Sequence, residues 1–211
     1  MNQRHFRLSG LAAAALLAVS AAHADDLSVN RAYYTPDGKL AGGLAISPAG
    51  TEGPGLFESQ NLTTGTSFLA YCVEQSQGAT SAVHSYVASA FSGPAEVQEL
   101  YDRFFDTSIL TQAGAVAFQL ALWELTGGTE VADFTFVSVA GAKTTALDWL
   151  TTVRADNDPF AQKYTLTQWS NATYQDVLQA TPVPEPETYA LMLAGLGAVG
   201  LMARRRGTQA R

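Results

Sequence analysis

Both ends of this chain are apolar segments that a folded domain need not contain, and this sets what is left to fold. Arg4 and Arg7 precede an apolar run from Leu8 to Ala22, and Ala22-His23-Ala24 fits the A-x-A pattern at which a secretory leader is cut. The run is too short for an ordinary membrane span, so residues 1–24 read as a signal peptide, with signal peptidase leaving Asp25 as the first mature residue. At the other end, Pro184, Glu185 and Pro186 are followed by an apolar run from Tyr189 to Ala203 and then by Arg204, Arg205 and Arg206. As a helix that run would rise about 22 Å at 1.5 Å per residue, against a hydrocarbon core of about 30 Å. Flanking side chains that snorkel would stretch it into a short transmembrane helix, its basic end held in the cytoplasm.

This ordered tail, from Val183 to Arg206, resembles the PEP-CTERM sorting signal that exosortases act on in exopolysaccharide-producing Gram-negative bacteria. The resemblance implies export, transient anchoring in the inner membrane, a cut near Pro184–Pro186, and release to the cell surface or extracellular matrix. The organisation expected is therefore a signal peptide over 1–24, one domain over 25–182, and a sorting signal over 183–211.

Asp25 to Val183 holds 17 acidic and 6 basic residues. A domain this acidic, with no basic patch, does not suit nucleic acid as a partner. Its single histidine, His84, single cysteine, Cys72, and scattered carboxylates show no metal-ligand spacing, so no metal or other cofactor is expected. The Asp156-Asn157-Asp158-Pro159 stretch reads as a surface turn rather than a calcium loop.

Leu27 to Tyr34, Ser67 to Glu74 and Thr80 to Ser89 have the β-branched and aromatic content of strands, and Thr35-Pro36-Asp37-Gly38 reads as a turn. Ile46 to Gly55 reads as loop. Pro94 to Phe105 places Val97, Leu100, Tyr101 and Phe104 on one helical face. Gln112 to Leu125 is a second helix, closed by Gly127-Gly128, and Gly141 to Val153 a third. Tyr164 to Trp169 and Thr173 to Leu178 are again extended. Strands on either side of a helical middle indicate an α+β fold: a sandwich or barrel-like sheet with a helical insertion.

Two residues stand out. The second helix is apolar nearly all round and so belongs in the interior, which makes Gln119 a buried amide that must find partners. Cys72 is the only cysteine of an exported chain and cannot join a disulfide within it. A small buried hydrophobe explains such a cysteine, and a main-chain-bonded core amide explains such a glutamine. Taken together, they can also react. A thiolate that attacks a carboxamide carbon expels ammonia and leaves an internal thioester. Contact within a fold would supply an effective molarity of about 10⁵ M or more.

At these residues the chain resembles the thioester domains of bacterial surface adhesins. The family's aromatic-Cys-hydrophobic-polar motif is matched by Tyr71-Cys72-Val73-Glu74. Its TQxA-hydrophobic-W motif is matched by Phe118-Gln119-Leu120-Ala121-Leu122-Trp123, with phenylalanine where threonine is usual. The resemblance implies a Cys72–Gln119 cross-link that attaches the protein covalently to an amine- or hydroxyl-bearing target, used once rather than turned over as in an enzyme. Tyr71, Glu74, Trp123 and His84 are supporting candidates, Glu74 because strand alternation would put it on the Cys72 face. Cys72 with His84 from an adjacent strand could alternatively form a cysteine hydrolase, although no hydrolase motif surrounds them. A passive component of an exopolysaccharide or biofilm matrix, with no thioester, is the main alternative.

Overall fold

The computed structural model describes residues 24–31, 54–135, 137, 139–155, 161–184, 192 and 194–196. The leader expected upstream of Ala24, the turn expected at Thr35–Gly38, the Asp156–Pro159 stretch, Glu185, Pro186 and Arg204–Arg206 lie outside them, as does most of the loop expected over 46–55.

Alternating burial is what draws the strands into a closed wall. In β1 (Ala24–Arg31), Asp25, Leu27 and Val29 are buried, and in β2 (Phe57–Asn61) Phe57, Ser59 and Asn61 are buried. With β3 (Thr66–Cys72), β4 (His84–Ala90), β5 (Tyr164–Ser170) and β6 (Val177–Pro182), they form a closed barrel in the order β1-β2-β3-β6-β5-β4. Every pairing is antiparallel. The inward-facing row includes Leu27 opposite His84, Phe57 opposite Ala70, and Cys72 opposite Val177. Phe68 and Trp169 stack, at 6.0 Å between ring centroids.

The helical insertion leaves the barrel after β4 and returns to β5. It contains α1 (Ala95–Ser108), α2 (Gln112–Leu125), a short 3-10 turn at Val131–Asp133, and α3 (Ala142–Arg154). Thr111 caps α2, its hydroxyl accepting from Gly114 N at 3.0 Å. The helix ends on Gly127 at φ +87°, with Gly128 N donating to Trp123 O at 2.7 Å, which closes a Schellman turn. Ala115 to Trp123 are buried without a break, as an all-apolar helix requires. On the strand side Tyr71 receives this block: its ring lies 4.4 Å from Phe118 and meets Tyr101 and Phe105 edge-on.

Several expectations shift. β2 was not foreseen, because Phe-Glu-Ser-Gln-Asn offers one large apolar residue and its alternation is carried by small polar ones. β4 starts at His84 rather than Thr80, and Thr80 instead accepts from Ala82 N in a local turn. β6 starts at Val177 rather than Thr173, because the Asn171 side chain takes the Thr173 and Tyr174 N–H groups into an Asx turn. Ala24, placed by the sequence on the leader side of the cut, is the first residue of β1. The ladder from Asp25 onward does not depend on it.

Among the described residues, no helix is long and apolar enough to cross a membrane, and the Tyr189–Ala203 run lies largely outside them. Its described side chains Met192 and Leu196 are 55% and 63% exposed, so the barrel does not bury them as a core helix.

Candidate functional site

β3 runs out at Cys72, two residues beyond the last one that β2 covers. Ala70 pairs with Phe57 on one side and Gln179 on the other, whereas Cys72 has Val177 on the β6 side only. Its main-chain N–H and C=O on the β2 side therefore need partners, and Gln119 supplies both. Cys72 N donates to Gln119 Oε1 at 2.9 Å, and Gln119 Nε2 donates to Cys72 O at 2.7 Å. The carboxamide stands in for a missing strand neighbour. Both residues are fully buried.

The consequence for reactivity lies in the same two bonds. The N–H on Oε1 polarises the Gln119 carbonyl and would stabilise negative charge developing on that oxygen, as oxyanion-hole donors do. The carboxamide is also held against the residue that bears Sγ. Strand alternation turns Cys72 inward, to the same interior as Tyr86, whose hydroxyl donates to Gln175 O at 3.5 Å. Burial pushes the Tyr86 phenol well above its ordinary range, and Cys72, Asp176, Glu74 and Tyr174 add to that push. Tyr101, fully buried and donating to Leu178 O at 3.2 Å, is raised in the same way by burial and then by Tyr71 and Cys72. The cysteine thus sits among neutral phenols in a water-poor interior.

The supporting candidates separate. Tyr71 points away from the Cys72 side chain onto the helices, its hydroxyl paired with Ser108 Oγ at 2.8 Å; it positions the helical block. Trp123 lies one turn beyond Gln119, stacked on Phe134, with its indole N–H buried and meeting no acceptor among the described residues. Glu74 is not on the Cys72 face by alternation, since the strand ends two residues earlier. It turns to the β5–β6 connection instead, where its carboxylate accepts from Asp176 N at 2.9 Å. Burial raises its pKa above 4.5, opposed by that main-chain donor and helped by the Asp176 charge. His84 is not in a strand next to Cys72: β6 and β5 separate β3 from β4 on one side, and β2 and β1 on the other. It stacks on Tyr174 at 3.9 Å, so the Cys-His pairing of a hydrolase loses the strand adjacency it was read from.

Sequence reasoning missed Tyr86, Gln175 and Thr126. Thr126 fastens the end of α2 to the strand that carries Cys72, its hydroxyl donating to Val73 O at 2.8 Å. No local pattern distinguishes these residues from ordinary strand and cap positions. Phe118, which departs from the motif, is explained by its stacking on Tyr71. Among the described residues no group of three or more His, Cys, Asp or Glu is placed to hold a metal.

β6 ends at Pro182, and Val183 N still donates to Lys163 O at 2.7 Å. Residues 182–206 match the PEP-CTERM protein-sorting motif. A PEP-CTERM tail implies processing by an exosortase and an exported, cell-surface destination. Among solved structures, the fold is similar to the N-terminal thioester domain of a surface protein from Clostridium perfringens, at 12% identity and a TM-score of 0.46 over 75% of this chain and 99% of that one. It is also similar to the N-terminal domain of the Streptococcus pyogenes pilus tip adhesin Cpa, at 14% identity and a TM-score of 0.48 over 75% of this chain and 94% of that one. Similarity at this level assigns no activity to this protein. No curated protein matches the chain.

Proposed function

We propose that this is an exported surface adhesin whose Cys72 and Gln119 form an internal thioester for covalent attachment to a nucleophile on a target surface. The observation that carries the reading is the pair of hydrogen bonds holding the Gln119 carboxamide on the main chain of Cys72. The order and spacing of the Tyr71–Glu74 and Phe118–Trp123 motifs, and the PEP-CTERM tail, support it. In the step proposed, the Cys72 sulfur bonds to the Gln119 side-chain carbonyl carbon, the carbon–nitrogen bond breaks, and the thiol proton leaves on ammonia. A target amine then takes the acyl group, forms an amide with residue 119, and returns the thiol. The chain is consumed once and does not turn over, so it is not an enzyme. In this reading residues 1–24 are removed by signal peptidase, residues 25–182 are the working domain, and the tail spends a period in the inner membrane of a Gram-negative cell before the exosortase cut.

Intact-mass measurement of the exported protein tests the bond. The protein should weigh about 17 Da less than its sequence requires, because the attack expels ammonia. The denatured protein should resist thiol alkylation until methylamine is added, after which residue 119 carries the amine and Cys72 alkylates. Cys72→Ala and Gln119→Ala should each restore the full sequence mass and abolish denaturant-resistant attachment. Full mass with an alkylatable thiol, in protein never exposed to amines or high pH, would return Gln119 to the role of main-chain partner and leave a passive matrix protein.

A further inference from the structure

The strand directions place the two functional halves of this chain at opposite ends of the barrel. Because all six pairings are antiparallel, β1, β3 and β5 start at one pole, and β2, β4 and β6 end there. Ala24 and Pro182, the residues nearest the two hydrophobic ends, both belong to that pole. Cys72, the last residue of β3, belongs to the other. Seven strand residues at about 3.3 Å each span roughly 20 Å along β3, which at a barrel tilt of about 40° sets the poles roughly 15 Å apart along the axis.

The chain is held to the barrel as far as Val183. Tyr164 pairs with Pro182, and Val183 is bonded to Lys163. Lys163 N and Tyr164 N in turn donate to the buried Asp102 carboxylate of α1, at 2.8 and 3.0 Å. The chain is therefore braced to within one residue of Pro184. Only residues 184–188 lie between that brace and the apolar run, a reach of at most about 18 Å at 3.6 Å per residue, so the Pro182 pole is the one kept near the run.

The geometry points to end-on display: a lipid membrane holding residues 189–203 holds the barrel by the Pro182 pole, and the Cys72–Gln119 pole faces away from it. That pole is then turned to a nucleophile-bearing surface while the precursor is still tethered, before any exosortase cut. This inference rests on the sorting-motif reading and not on the thioester, and its test removes Cys72 so that the two fail separately.

The experiment uses the full chain with Cys72→Ala and one new cysteine, held by its tail in a lipid nanodisc and compared with the same protein in detergent. Thr64→Cys lies in the exposed β2–β3 turn at the Pro182 pole, and Ser81→Cys in the exposed β3–β4 connection at the Cys72 pole. A maleimide carried on a bulky polymer is the probe. Thr64→Cys is expected to lose most of its labelling in the disc, and Ser81→Cys none, with both labelling fully in detergent. Loss at Ser81 equal to or greater than at Thr64 overturns the orientation. Full labelling of both in the disc overturns the membrane-held tail.

Discussion

Gln119 is the one side chain whose removal unmakes the site and its support together. Its amide satisfies a buried N–H and a buried C=O of Cys72, and each such group left without a partner costs about 1–3 kcal/mol. Against Cys72→Ala, in which the carboxamide persists, Gln119→Ala is therefore expected to lower the unfolding free energy by roughly 2–6 kcal/mol in urea titration. Cys72→Ala keeps both main-chain bonds, and its loss of one sulfur is expected to cost clearly less. The contrast matters for interpretation. Failure of Gln119→Ala to attach to a target has to be read beside its stability, whereas failure of Cys72→Ala reports the chemistry. Glutamate at position 119 would lose the donor to Cys72 O and bury a charge, so it is no neutral substitute.

At the scale of elements, α2 carries the glutamine and its ends fix where the glutamine stands. The Thr111 cap sets the start, and the Gly127 turn sets the end beside Val73. Gly127 has open space around its Cα but a φ of +87°, so the strain of Gly127→Ala is purely in the backbone. The expected cost is about 1–2 kcal/mol, read as a lower melting temperature with the mass deficit retained. Glu124 binds the same helix outward, pairing with Arg154 of α3 at 2.8 Å. This region was the most legible part of the chain in sequence, because helical spacing, cap and glycine stop are all local signals. The Tyr71–Glu74 and Phe118–Trp123 motifs were legible for the same reason. What was not legible depends on partners distant in sequence. Glu74 was assigned to the Cys72 face by an alternation that stops at Cys72, and His84 was put beside Cys72 because β3 and β4 are consecutive in the chain. The barrel interposes β6 and β5, a placement no local pattern encodes. β2 escaped because its inward residues after Phe57 are serine and asparagine, and Asn61 is accommodated by the Asp25 carboxylate, to which its amide donates at 2.7 Å, and by the Thr63 and Thr64 N–H groups, from which its oxygen accepts.

For the whole molecule, the tight junction between barrel and tail restricts where processing can occur. Bonds upstream of Val183 are engaged in β6 or in the Lys163 contact, so a protease acting on the folded barrel cannot take them in extended form. Intact mass of released protein should place its C-terminus at residue 184 or later; an end before 182 would mean that the cut precedes folding. The position of β6 has a consequence in time as well as in space. Export runs from the N-terminus, so β6 is the last strand to emerge, yet it belongs between β3 and β5, two strands already across. Until it arrives, both present unpaired edges, the condition under which chains join one another. Closing the ring thus coincides with the emergence of the sorting motif. A chain stalled or truncated before β6 lacks its address label and has an open barrel as well, because the residues that complete the fold stand directly ahead of that label.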